Sequence, residues 1–199
     1  MKKKDIKAFF KAIRDRDLAA VTTLVQSDKA YLSACNFAPP KKDDGQSGLQ
    51  VAFKTGNFEI AQFLIDEGAD VNFIEQSEVN EWRAPVLHDC IRATVFNSYT
   101  MRKDTGRFDR AFSILTLMLD KKADPNAMDS YGNNCLMRVF LDARQMIDTP
   151  AVDFTDDILL KQLRSVFGVL VKAGADVNQG SESVLYMISN YRMEKYQLL

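Results

Sequence analysis

His88, the only histidine in the chain, stands two residues before Cys90 in the run PVLHDC, and imidazole beside thiol is the pairing from which a cysteine nucleophile is built. Two positions apart on a helix, however, the side chains leave on different faces, and no nucleophile motif surrounds them, so a catalytic triad is unsupported. The adjacent acids Asp43-Asp44 and Asp156-Asp157 have the chemistry of metal ligands or acid–base partners. Paired carboxylates at helix starts more often cap the helix or fill its first turn, and that is the reading adopted. Cys35, Cys90 and Cys135 are odd in number, far apart and never in a CxxC pair, which argues against a disulfide framework or a zinc site and fits a reducing cytoplasm. They are read as small apolar residues. With no EF-hand loop, HExxH or phosphate-binding glycine loop, the expectation is a non-enzyme without metal or cofactor.

The composition suits a folded chain: 46% of the 199 residues are hydrophobic and 27% charged. Lysine and arginine number 26 against 27 acids, so no net field draws it to nucleic acid or anionic lipid. The basic start MKKKDIKAFFKAIRDRDLAAV carries charges where an export signal needs an apolar stretch, and it reads as a helix. No window approaches the roughly 20 apolar residues of a membrane span.

Residues 47–73, SGLQVAFKTGNFEIAQFLIDEGADVNF, hold two helical apolar patterns separated by Gly56-Asn57. Leu49, Ala52 and Phe53 mark the first helix, and Ile60, Phe63 and Leu64 mark the second. Gly68 ends it, because glycine enters the left-handed conformation without a steric cost. That ending recurs as GADVN at 68–72, KADPN at 122–126 and GADVN at 174–178. A recurring unit of this kind buries its apolar face on its neighbours, giving one elongated domain with a continuous core.

The pattern resembles the ankyrin repeat, a unit of about 33 residues with a turn, two antiparallel helices and a closing loop. Gly45, Ser47, Leu49, Ala52, Gly56, Ile60, Leu64, Gly68, Ala69, Asp70 and Asn72 occupy its signature positions, while Gly48 and Gln50 replace the usual proline and histidine. The resemblance implies an all-α solenoid of about five helix-turn-helix repeats over residues 1–199: a capping repeat at about 4–36, repeats at about 44–73, 81–126 and 129–178, and a shortened C-terminal cap at about 181–199. In the first cap Phe10, Ile13, Val21, Leu24 and Val25 form the core, with Asp17 at the inter-helix glycine position; in the last, Leu185, Ile188, Tyr196 and Leu199 do so. His88 falls where the family usually carries a histidine that organises the turn through hydrogen bonds to backbone. Repeats this irregular look like those of small bacterial members.

The third and fourth copies are 16 and 19 residues longer than the second, and both insertions fall between the paired helices. They are expected side by side as a second platform. The first carries Arg102, Lys103, Arg107 and Arg110 against Asp104 and Asp109; the second carries Asp148, Asp153, Asp156 and Asp157 against Arg144 and Lys161. Opposite charge and the apolar Phe96, Tyr99, Phe108, Ile147 and Phe154 suggest mutual docking. Thr155 is read as the N-cap of an extended helix. Lys122, in place of the terminating glycine, is expected to reshape its turn.

In ankyrin-like proteins the turn fingers and first helices line a concave binding face. Here the fingers place Phe37, Phe73, Ile74 and Trp82 in otherwise solvated segments, and Trp82 is the leading anchor for a partner. The competing reading is that Trp82 covers the edge of the next repeat. Gln50, Lys54, Tyr131, Asn133 and Asn134 are expected as polar neighbours on the same face. The resulting function is a monomeric, cytoplasmic protein-binding module, acting as an adaptor, an inhibitor or an immunity/antitoxin-type regulator. The alternative is a small-molecule sensor or unrecognised enzyme with a pocket under the paired insertions.

Overall fold

The computed structural model describes residues 2–99, 103–149, 152, 154–180 and 182–199. Arg102 and Asp153, two charges invoked for docking of the insertions, lie outside the described residues. The chain is mostly helical, with nine α-helices among the described residues. They run as α1 (Lys3–Arg14), α2 (Leu18–Ser27), α3 (Gly48–Lys54), α4 (Phe58–Asp66), α5 (Val86–Phe96), α6 (Gly106–Asp120), α7 (Cys135–Ile147), α8 (Ile158–Lys172) and α9 (Val184–Asn190). The odd-numbered helices pack in sequence order as one layer, and α2, α4, α6 and α8 form a second layer against them. Between the layers runs a single apolar core that includes Phe9, Ile13, Leu49, Phe53, Leu64, Leu87, Leu115, Phe140 and Phe167.

Local chemistry fixes where each helix starts. Ser47 accepts from the Gln50 amide at 3.2 Å while the Gln50 side chain accepts from the Ser47 amide at 3.2 Å, a reciprocal capping box that opens α3. Asn134 caps α7 through the Met137 amide at 3.1 Å, and Ser183 caps α9 through the Tyr186 amide at 3.1 Å. Gly48 stands where a proline was expected because α3 abuts α1: a Cβ there would lie 2.9 Å from the Phe9 ring.

Each inter-helix turn needs one left-handed residue. Gly56 supplies it in the second pair, but in the first pair Arg16 does so at φ 63°, and Asp17 is instead the N-cap of α2. The position assigned to Asp17 from sequence is therefore corrected by one residue. Lys122 likewise adopts φ 69°, and its turn keeps the closure of its glycine counterparts: Ala123 N donates to Met118 O at 3.0 Å, as Ala69 N does to Leu64 O at 2.8 Å. The expected reshaping does not occur. The closing loops are tied together by their asparagines. Asn72 donates to Lys122 O at 3.0 Å and accepts from Asp124 N at 2.7 Å, and Asn126 repeats the pattern with Gly174 O at 2.9 Å and Asp176 N at 2.8 Å.

The two ends of each insertion become helix, leaving residues 97–105 and 148–157 as connecting segments. α5 and α7 run on past the length of α3, and α6 and α8 start earlier than α4 does, so the additional turns pack as continuations of the same layers. The two insertions meet where Tyr99 N donates to Gln162 Oε1 at 2.5 Å. Among the described residues no ion pair crosses between them. Arg107 pairs with Asp104, Arg144 with Asp148, and Arg110 reaches Glu59 of α4. Phe108 and Ile147 are buried, whereas Phe154 stacks on Tyr196. α8 begins at Ile158, not after Thr155: Asp156 accepts from the Ile158 amide at 3.1 Å, and Asp157 takes a left-handed φ of 55°.

The last copy departs further. After α9 only a single 3-10 turn follows, at Glu194–Tyr196. Val184, Ile188, Met193 and Leu198 are buried, while Leu185 and Leu199, expected in the core of this cap, are exposed. Arg164 donates to the carbonyls of Tyr196 and Gln197 and fixes this segment in a non-helical course.

Candidate functional site

The fingers between the helix pairs carry the candidate binding residues. The first is a short antiparallel pair, β1 (Cys35–Asn36) with β2 (Gln46–Ser47), and the second is pinched by a bridge between Ile74 and Pro85. Successive fingers are fastened together. Trp82 Nε1 donates to Asp129 Oδ2 at 2.8 Å, Arg83 N donates to Ser130 Oγ at 3.0 Å, Ser130 N donates to Arg83 O at 2.9 Å, and Ser130 Oγ donates to Glu81 O at 2.8 Å. Asp129 also accepts from the amides of Tyr131 (2.9 Å) and Asn133 (3.0 Å). Burial raises the Asp129 carboxyl, but donation from Trp82, Asn133 and Tyr131 outweighs it and holds the group below its ordinary value.

Trp82 therefore does what the competing reading expected, since it covers the junction with the next finger. Its ring remains half-buried and open to two guanidinium groups. Arg92 of α5 lies 6.0 Å and Arg138 of α7 5.7 Å from the ring centroid, within cation–π range. Arg92 is also 5.5 Å from the ring of Phe96, one helical turn on, so a cation is held between two aromatic rings. Arg138 is engaged elsewhere: its fork binds the fully buried Asp142 at 2.9 and 2.6 Å. Burial raises the Asp142 carboxyl, and Arg138 opposes that rise.

The residues expected from sequence sort into three groups. Trp82, Tyr131 and Asn133 meet around Asp129, with Tyr131 56% exposed. Phe37 and Ile74 are exposed, at 65% and 47%, and Phe73 packs on the core edge; no described contact joins Phe37 to the Trp82 cluster. Gln50 and Asn134 are corrected. Both are buried, because the first closes the α3 capping box and donates to Asp89 at 2.8 Å, and the second caps α7 and donates to Asp176 O at 2.9 Å. Lys54 is occupied by the carbonyl of Lys42 at 2.6 Å and by Asp43 at 3.5 Å. Asp43 stands in the first turn of a short 3-10 helix (Lys41–Asp43) and is a buried ion-pair partner, bound also by Arg14 at 3.0 Å.

Arg92, Phe96, Arg138 and Asp129 were missed. A signal was present for Arg92: it is the seventh residue of α5, as Lys54 is of α3, so an argument that selected Lys54 selects Arg92 by register.

His88 is fully buried at the third-finger side of α5, and neither ring nitrogen has a hydrogen-bond partner among the described residues. The turn-organising hydrogen bonds implied by the resemblance are not made; the Ala127 backbone approaches without reaching hydrogen-bond geometry. Burial pushes the imidazole down to about 4, Arg138 adds to the depression, and Asp129 and Ala127 oppose it. Its neighbour Asp89 is pushed up to about 7 by burial, against the hydrogen bond from Gln50 and the charges of Lys54 and Arg92. Burial also raises the thiols of Cys90 and Cys135, which leaves them poor nucleophiles.

A half-open cleft of about 460 Å³ lies on the opposite edge, lined by Arg16, Gly56, Asn57, Asn97, Arg107 and Arg110 among others. It borders one insertion and the turns of the first two helix pairs, rather than lying under both insertions.

The ankyrin-repeat family model matches residues 44–75, which span β2, α3, α4 and the loop after Gly68. Residues 44–75 thus match an ankyrin repeat. No curated protein matches the chain. Within the matched segment, the departures at Gly48 and Gln50 both face neighbouring elements, Phe9 on one side and Asp89 on the other. No described helix is long and apolar enough to cross a membrane.

Proposed function

We propose that residues 1–199 form one domain of five ankyrin repeats, with the boundaries given above, that binds a protein partner on the face where Trp82, Arg92 and Tyr131 are presented. The observation that carries this reading is the fastening of the second finger to the third around Trp82. A half-open tryptophan held by its own indole N–H loses little freedom on binding, and Trp, Tyr and Arg are the residue types enriched at binding hot spots. A face of this kind suits a non-catalytic adaptor, inhibitor or antitoxin-type regulator working as a cytoplasmic monomer.

A small-molecule sensor is the second reading, and the cleft near Arg16 favours it. Two of the three arginines there are already paired, Arg107 with Asp104 and Arg110 with Glu59, which leaves the cleft less charge for a ligand.

Affinity capture from source-cell lysate tests the first reading, with wild type compared against Trp82→Ala. Stoichiometric recovery of one protein by wild type and its loss with the variant is the expected outcome. Failure of every folded bait to retain a protein would remove the reading and direct ligand screens to the cleft.

A further inference from the structure

We infer that the site formed by Trp82, Arg92 and Phe96 recognises a carboxylate side chain on an acidic, extended segment of the partner protein, an inference that rests on the interaction reading above.

The cation is unspent. Among the described residues Arg92 makes no hydrogen bond or ion pair: it lies 6.0 Å from the Trp82 ring and 5.5 Å from the Phe96 ring, acts on Asp89 and Asp142 only through its charge, and is exposed. Its neighbours along the same layer of helices are committed: Arg138 to Asp142, and Lys54 to Asp43 and the Lys42 carbonyl. Contact with the ring faces does not consume its N–H donors, so the fork remains available for two parallel hydrogen bonds to a carboxylate.

The carboxylates close to Arg92 do not repel such a ligand. Asp142 is neutralised by Arg138, Asp129 is turned inward to Trp82, Tyr131 and Asn133, and Asp89 is buried beneath Gln50 with a proton affinity far above that of an ordinary carboxyl. The surface thus offers one positive group between two partly exposed aromatic rings, Phe96 being 40% exposed. An Asp or Glu flanked by an apolar or aromatic residue complements both parts. A nucleic acid is less well served: a phosphate backbone requires a row of free cations, and here Lys54 and Arg138 are engaged.

The test uses the full chain as bait for a displayed library of random twelve-residue peptides, followed by affinity measurement of the selected peptides on wild type, Arg92→Ala, Arg92→Lys and Arg92→Glu. Arg92 makes no hydrogen bond among the described residues, so all three variants are expected to fold; melting temperatures are checked first, because loss of its charge beside Asp89 and Asp142 lowers them most in Arg92→Glu. Selected peptides should be enriched in Asp or Glu next to an apolar residue, and their binding should weaken as salt is raised. Affinity should drop about tenfold or more in Arg92→Ala, further in Arg92→Glu, and recover only in part in Arg92→Lys, which keeps charge but not the fork. Peptides that lack acids, or that bind Arg92→Glu as well as wild type, would overturn the inference and leave the interaction reading standing. Arg92-dependent binding of a poly-dT oligonucleotide in place of peptides would overturn it in favour of phosphate recognition. No enrichment at all on folded bait would overturn the inference, while the interaction reading stands or falls on the lysate capture.

Discussion

The indole of Trp82 and the carboxylate of Asp129, 47 residues apart in sequence, share a hydrogen bond of 2.8 Å that joins one finger to the next. A partly buried bond of this type, made to a charged group, contributes about 1.5–3 kcal/mol. Trp82→Phe keeps an aromatic ring in the junction and removes the donor. Denaturant unfolding should report a loss in that range, and carbon-detected NMR should find the Asp129 carboxyl titrating higher than in wild type, since one of the donors that depresses it is gone. An unchanged Asp129 titration would show that the amides of Tyr131 and Asn133 suffice.

His88 and Asp89 oppose each other in their effect on stability with pH. The imidazole is depressed from an ordinary 6.5 to about 4 in the folded protein, so its contribution is complete above pH 6.5 and lost as pH falls toward 4. Asp89 is raised from 3.8 to about 7, so its contribution is complete below pH 3.8 and lost as pH rises through 7. Between about pH 4 and 6.5 the two slopes offset. His88→Gln should therefore gain stability relative to wild type chiefly near pH 4–5, and Asp89→Asn chiefly at pH 8, where Tm should rise about 2–4 °C for each kcal/mol recovered. Melting curves across pH 4–8 for both variants check the crossing pattern.

Lys122 carries a side chain in a left-handed turn that Gly68 and Gly174 occupy at the equivalent points. Relief of that backbone strain, about 1–2 kcal/mol, is partly offset by the greater freedom of glycine in the unfolded chain. Lys122→Gly should stabilise by up to about 1 kcal/mol, and Gly68→Ala and Gly174→Ala should destabilise through backbone conformation alone, because no atom lies within 4 Å of the Cβ that either would acquire. Equilibrium unfolding of the three variants decides it.

The second helix pair was legible in the sequence almost residue by residue, because its packing and turn signals agree: Leu49 and Leu64 face the core, and glycines stand where the backbone turns left-handed. The first and last turns were harder to place, since Arg16 and Arg192 adopt that conformation without being glycine and leave no compositional mark. The binding face was legible only in part. Trp82 and Tyr131 announce themselves by type, whereas the burial of Gln50 and Asn134 depended on partners 39 and 42 residues away, Asp89 and Asp176, that local pattern does not reveal. Charge balance was a poor guide to the insertions for the same reason. Arg110 found Glu59 on a neighbouring pair rather than the acids of the second insertion.

The longer helices of the third and fourth pairs give the chain unequal junctions. In a linear array, stability is the sum of what each unit supplies and what each junction adds. The tall α5–α7 junction buries Val95, Ala143 and Ile147, positions beyond the length of the short α3. Cooperativity is therefore uneven along the chain: the centre resists opening as a block, while α1 and α9, each with a neighbour on one side of its layer, are where the array loosens first. The tryptophan face sits on the block that opens last.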